Sequence, residues 1–476
     1  MSPDESQISC YCLIPHRSQH SLLARRAGEG YQCPSVRLPK LRLDFFLDYV
    51  PAIRQELRRE TSLEVTVLRH LQDWDDVQVC VLEVHSDCDG LPAGYFWLDD
   101  QEEIAWADEL SAQAWQVWKS ALPTEDASML APWEHAGWFA EAALWVQSRL
   151  HEAGYALIGP IEQLKGAWSW SSLLKAETDT GTVYFKADYQ RPPQEAAVVL
   201  KLAERWPLNV PQILASWPER GWMLMPDFGG MSLETLKTSD YLSAVSQFAQ
   251  IQRSTASNLR DWKRLGCPDM TPHTLLRLTE RLLADTDVLC GGKDGLSLKE
   301  ATELELKLPQ IKQMLNRLAC SALPSTISNE DFRAGNAAVR DGVCLFYDWS
   351  GTAMTHPLFG INYFLNRMVR THSEDRFRWR NDLEDTQRRE LASVFLSEWA
   401  DDTKWGQLVA EFWLCRRLCP LYEAVRCYCD LPFVGTVSPW GAGTLRNIPY
   451  SLRSLIAALD YRPKKLTLDR VSSTAH

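Results

Sequence analysis

The sequence predicts an α+β chain of two lobes, the first rich in strands and the second helical, preceded by a smaller mixed domain. Three observations carry that expectation. At 476 residues the chain exceeds what one core ordinarily serves, so two or three domains are expected. Hairpin signals cluster between residues 171 and 226, and helical periodicity dominates beyond them. Near the amino end, β-like runs such as "VTVLRHL" and "VQVCVLEVHS" alternate with the polar helix "YVPAIRQELRRETS". Boundaries follow at 1–121 for the first domain, 122–132 for a linker, 133–230 for the strand-rich lobe with its leading helix, and 231–476 for the helical lobe.

In chain order, "ALPTEDASMLAPW" has proline near both ends and no apolar period, as a linker should. Next, Trp138, Ala142, Trp145 and Leu150 recur at roughly helical spacing, and Gly154 suits the helix end. "SSLLKAETDTGTVYFKA" reads as two strands about a "TDTG" turn and brings Lys186 to the end of the second. Two prolines then open a helix carrying Glu195, Val199, Leu202 and Trp206 on one face. A carboxylate on an apolar stripe is costly to bury alone, so Glu195 calls for a cation, and Lys186 is the nearest candidate in sequence. "PQILASWPERGWMLMPDFGG" predicts a second hairpin about "PERG", followed by a glycine pair suited to a hinge.

Composition removes several function classes. A net charge of −12 with no Lys/Arg run argues against a nucleic-acid binder, because phosphate contacts need a basic footprint. Without a membrane-length apolar run or a signal-peptide pattern, the expected location is the cytoplasm. The 13 scattered cysteines read as reduced core residues; a metal held by Cys415, Cys419, Cys427 and Cys429 is the alternative. Most of the 20 tryptophans are accounted for by aromatic packing.

The stretch "ISNEDFRAGNAAVRDGVCLFYDWS" carries the chemistry. Two short β-like runs flank "RDG", so the hairpin folds about Asp341 and brings Asn336 and Asp348 to its open end, with Asp331 on the entering loop. Three oxygen ligands converging in this way favour a hard cation, and Mg²⁺ commonly takes one or two protein carboxylates plus phosphate oxygens. Turn formation alone also explains Asp and Asn in a loop.

"SNEDFRAGN" followed by "FYDWS" resembles the motif HGDxxxxN…DW of the aminoglycoside phosphotransferase and choline kinase-like group, a branch of the protein-kinase-like fold. The resemblance runs in order over residues 130 to 460 and implies a bilobal phosphotransferase using ATP and Mg²⁺. It implies Asp331 as the base, Asn336 and Asp348 as metal ligands, Lys186 on the α and β phosphates, and Glu195 as its helix partner. Ser169 and Ser171 in "KGAWSWSS" would cover the phosphates, although plain turn polarity serves equally well there. "DFG" at Asp227 to Gly229 copies a kinase magnesium motif but precedes the loop by about a hundred residues, so the hinge reading wins. The chain departs from the group at Asn329 for His, Glu330 for Gly, and Gly360 for Asp.

In the first domain, "QELRRETSL" resembles the end of the Nudix box, which implies an α/β/α fold. Glu56 and Glu60 match, while Gln55, Arg59 and Ser62 replace the arginine, an acidic ligand and the glycine. Leu47 and Leu41 stand where an upstream Glu and Gly belong, so hydrolase activity is expected to be lost; a solvated amphipathic helix is the alternative.

Two functions of different kinds therefore compete. One is a small-molecule hydroxyl kinase. The acceptor would be neutral or anionic, given roughly +3 over residues 361–476 by count of Lys/Arg against Asp/Glu. The other is a non-catalytic nucleotide-binding regulator with a ligand-sensing first domain. A protein kinase ranks third, because "HPLFGINYF" directly after the metal Asp leaves no room for a long activation segment.

Overall fold

The computed structural model describes residues 7–16, 21–39, 49–74, 77–85, 91–99, 103–121, 130–165, 171–188, 195–292, 294–367, 385–401, 403–434, 439–461 and 468–471. Most of the linker, together with Leu41 and Leu47, lies outside them. The chain separates into two compact units, Met1–Tyr189 with Leu214–Asp227, and Gln190–Ile213 with Phe228–His476.

In the first unit, β1 (Gln7–Leu13), β2 (Ser21–Ala27), β3 (Gly30–Gln32), β4 (Ser35–Pro39), α1 (Tyr49–Thr61), β5 (Val65–Trp74), β6 (Val77–Val84), β7 (Tyr95–Asp99) and α2 (Glu109–Ala121) follow in order. They make a four-stranded sheet, β4-β1-β6-β5, and a three-stranded one, β3-β2-β7. β1 and β6 run parallel, which requires the intervening crossover. Leu13, Leu68, Val79 and Val81 pack with Trp115 and Trp118 of α2. Cys10, Cys12 and Cys80 are buried as small apolar residues, the use expected of reduced thiols.

The same unit holds α3 (Trp138–Glu152), β8 (Glu162–Lys165), β9 (Ser171–Thr178), β10 (Gly181–Asp188), β11 (Ala215–Trp217) and β12 (Trp222–Pro226). The strands form an antiparallel sheet in the order β11-β12-β10-β9-β8. Both predicted hairpins are present, with Gly181 and Gly221 at positive φ beside their turns. One sheet face is a ring cluster: Trp138 and Trp145 of α3 pack edge-on and tilted against Phe185 and Trp222. Gly154, at φ 82°, follows the end of α3.

Polar ties join the two parts of this unit. The buried Gln163 amide on β8 donates to the Val67 carbonyl and accepts from the Val67 N–H, both at 2.9 Å. Arg54 of α1 reaches the Val65 and Gln163 carbonyls at 2.8 and 3.3 Å, and the Gly137 N–H donates to Glu83 at 2.8 Å.

The second unit opens with α4 (Glu195–Ala203), which stops short of Trp206. The expected apolar face is thus shorter than the spacing suggested, because residues 204 and 205 turn ahead of Pro207, which disfavours helix in the residue before it. Helices α5 (Thr238–Thr255), α6 (Leu259–Arg264), α7 (Pro272–Ala284), α8 (Thr286–Cys290) and α9 (Leu298–Ala319) follow the short β13 (Met231–Ser232). Then come β14 (Thr326–Asn329), β15 (Ala337–Arg340), β16 (Val343–Phe346), β17 (Thr352–Thr355), α10 (Leu358–Arg367), α11 (Thr386–Ser397), α12 (Trp405–Val434) and α13 (Pro439–Asp460). One continuous core, with Phe248, Phe332, Trp349, Phe364 and Phe412 at its aromatic centre, carries the small strands on the helices. Cys415, Cys419, Cys427 and Cys429 all lie on α12, strung along about 21 Å at 1.5 Å per residue, so they cannot converge on one metal. No described helix is long and apolar enough to cross a membrane.

Candidate active site

The hairpin that sequence reading placed at the centre is built by a two-residue loop. Asp341 and Gly342 take φ of 53° and 77°, the pattern of a type I′ turn, between Arg340 and Val343. At the open end the Tyr347 N–H donates to the Asn336 carbonyl at 3.0 Å, so Asp348 follows one residue beyond the ladder. Asp348 itself is left-handed, at φ 60° and ψ 58°, a strained conformation that asparagine and aspartate tolerate best. Its Oδ1 accepts from Ser350 Oγ at 3.0 Å.

Asp331 sits in a loop braced largely by its own neighbours. The Asn336 Nδ2 donates to the Asp331 carbonyl and to its Oδ2, both at 2.9 Å. Asn329 does two jobs: its Oδ1 accepts from the Asp331 N–H, and its Nδ2 donates to the Asp348 carbonyl, both at 2.9 Å. Asn329 thereby links the two acidic segments across nineteen positions, a connection available to any side chain with one donor and one acceptor.

Glu195 is the buried first residue of α4, and its Oε1 accepts from the Trp349 N–H at 3.0 Å. The helix-start carboxylate therefore holds the turn that carries Asp348. Lys186 stands in the first unit, on β10, opposite Leu173 and Met223, and is 8% exposed. Ser171 begins β9 and is buried; Ser169 falls outside the described residues. Asp331, Asn336, Asp348 and Glu195 all belong to the second unit. The chain crosses between units at Asp227 and Phe228, where Gly229 and Gly230 have φ of 61° and 97°. A Cβ on Gly230 would meet the Val339 carbonyl at 2.8 Å, so that close approach needs glycine.

Sequence reading passed over Arg333. Its Nε donates to Asp331 Oδ2 at 3.0 Å. Burial works against the guanidinium charge, yet the carboxylates of Asp331 and Asp348 hold its pKa above the ordinary value. Its position two residues after Asp331 was the available signal. Tyr347 was likewise passed over: its hydroxyl donates to the Gly335 carbonyl at 2.6 Å, and burial pushes its pKa up to about 12.

The donor set suits a hard cation. Asn336 directs its amide nitrogen at Asp331, and no hydrogen bond among the described residues occupies its Oδ1. That oxygen and the Asp348 carboxylate are hard oxygen donors, the kind of atom Mg²⁺ accepts alongside phosphate oxygens.

No protein-family model matches the chain, and no curated protein matches it. Solved structures do. A choline/ethanolamine kinase family protein from Mesorhizobium loti aligns at TM-score 0.41 and 16% identity, over 67% of this chain and 98% of its own. A choline kinase from Streptococcus pneumoniae gives 0.44 and 13%, over 67% and 99%. A macrolide 2'-phosphotransferase from Brachybacterium faecium gives 0.43 and 12%, over 66% and 98%.

Proposed function

We propose that the protein is an ATP- and Mg²⁺-dependent phosphotransferase acting on a hydroxyl of a small molecule. The observation that supports this best is the Asn336 bridge: one side chain ties the candidate base Asp331 to the metal position and keeps its own oxygen for the ion. Mg²⁺, when bound, neutralises charge on the transferring phosphoryl group. Lys186, buried on β10, would by the resemblance pair with the α and β phosphates. Glu195, assigned by resemblance to that lysine, would also fix the Asp348 turn through Trp349. Ser171, and Ser169 by resemblance, would lie along the phosphates. Asp331 would orient the acceptor hydroxyl for in-line attack and take its proton.

The acceptor is read as neutral. Glu330, next to Asp331 in sequence, lies with Glu423 and Asp430 around Arg426, which Glu423 engages at 2.7 Å, and this acidic cluster favours a neutral acceptor over an anion. This narrows the neutral-or-anionic expectation drawn from the charge of the whole segment.

A second reading, a nucleotide-binding regulator without turnover, draws on the Arg333 ion pair, which occupies the same Asp331 oxygen as Asn336. The first domain is read as Nudix-like without hydrolysis, since Arg59 pairs with Glu56 at 2.5 Å where such chemistry wants carboxylates for metal.

Thermal stabilisation by ATP, with and without Mg²⁺, tests the nucleotide site. Stabilisation that needs Mg²⁺ and is lost in Asp348→Ala and Lys186→Ala is expected; equal stabilisation of all three proteins would refute the assignment.

A further inference from the structure

Glu330 immediately precedes Asp331, and its carboxyl turns into the helical body. Tyr422 of α12 donates its hydroxyl to Glu330 Oε1, while Arg426 stays 3.9 Å from Oε2. The side chain is 11% exposed and borders a cavity of about 20 Å³, room for one water-sized group, together with Ser328, Gly360 and Tyr422. Gly360 is what opens this space: a Cβ there would lie 2.4 Å from Ser328 Oγ. The two departures noted in sequence, a carboxylate gained at 330 and one missing at 360, thus meet in the same cavity.

Most other polar bonds of the loop stay local. Asn329, Asp331, Arg333 and Asn336 bond one another, and the Glu330 N–H donates to the Gly351 carbonyl at 2.9 Å. Among the described hydrogen bonds of residues 329–333, the Glu330 carboxyl makes the one that reaches α12. We propose that Glu330 is a positioning residue: its carboxyl, docked on Tyr422, fixes the Asp331 loop against α12 in place of a side chain at 360. The name catalytic loop rests on the phosphotransferase reading; the docking does not.

The dock is proton-dependent. Burial pushes the Glu330 pKa up to about 7, against the pull of Arg426 and of the Tyr422 hydroxyl. The groups facing it are Ser328 from β14, Thr355 from β17, Tyr363 from α10, and Tyr422, Glu423, Arg426 and Asp430 from α12. Tyr422 is itself held far above its ordinary range by burial, and burial moves Asp430 up to about 6. Ionised Glu330 is the costly buried form, so the dock is tight while the proton is held and loosens as pH rises through about 7.

Amide hydrogen exchange of the full chain without nucleotide reads this directly, as protection factors of residues 329–336 at about pH 6 and about pH 8. Wild type should lose protection at the higher pH by about tenfold, while α12 stays protected. Glu330→Gln, which keeps an oxygen for Tyr422, should stay protected at both. Tyr422→Phe and Glu330→Gly should be loose at both; if the glycine variant fails to fold, the phenylalanine variant, lacking a single hydroxyl, decides. Unchanged loop protection in Tyr422→Phe, or a pH dependence that persists in Glu330→Gln, would overturn the proposal. Since no nucleotide is present, either result stands whether or not the protein transfers phosphate.

Discussion

Two neighbouring acids in one loop have opposite environments. Asp331 faces an arginine and an asparagine, whereas Glu330 is buried against Tyr422 with its cation out of hydrogen-bond reach. The consequence for stability has a definite sign. Folding raises the Glu330 pKa from 4.5 to about 7, so the folded chain holds a proton that the unfolded chain releases between those values. Stability is therefore complete below about 4.5 and declines as pH rises through about 7. Glu330→Gln should remove this decline and, at pH 8, be the more stable protein by on the order of 1–3 kcal/mol in chemical denaturation. A less stable glutamine variant at that pH would show that the ionised carboxylate is a favourable partner of Arg426. At Asp331 the expectation is kinetic: Asp331→Ala should lower turnover by about 10²–10⁴-fold, with nucleotide affinity little changed.

At the scale of elements, the hairpin was legible because "RDG" between apolar runs has few other solutions, and Asp341 and Gly342 adopt the positive φ it demands. Lys186 and Glu195 were legible as a strand residue and a helix start, but the 3.0 Å bond from Trp349 to Glu195 spans 154 positions and leaves no local trace. Arg333 escaped for a different reason: an arginine near an aspartate is ordinary surface chemistry until the loop closes them to 3.0 Å. The Glu330 dock needs α12, ninety-two positions away. Gly230 offers a test of the close approach beside the crossing between units. Gly230→Ala must adopt φ 97° and push against the Val339 carbonyl, so a loss of about 1–3 kcal/mol is expected in thermal or chemical unfolding.

Over the whole molecule, the division by sequence composition and the division by contacts differ in kind. Sequence marks a first domain ending at 121, whereas packing groups it with the five-stranded sheet in one compact unit. The reason lies in a few buried polar side chains. Gln163 pairs with both the N–H and the carbonyl of Val67, and Glu83 receives the Gly137 N–H. Such ties cannot be seen in periodicity, since an isolated Gln in a short strand reads as a solvated position. Replacing Gln163 by Leu should strand two buried backbone groups and cost about 2–4 kcal/mol, with the first domain and the sheet losing structure together by hydrogen exchange.

The central claim, transfer of phosphate to a small-molecule hydroxyl at Asp331, is tested most directly by ADP release from ATP and Mg²⁺ across a panel of hydroxylated metabolites and antibiotics. Wild type and Asp331→Ala are compared. The account predicts turnover on a neutral acceptor by the wild type and its loss in the variant. Turnover that persists undiminished in Asp331→Ala would contradict it, as would an enzyme that releases no ADP with any acceptor while Mg²⁺ and ATP bind normally.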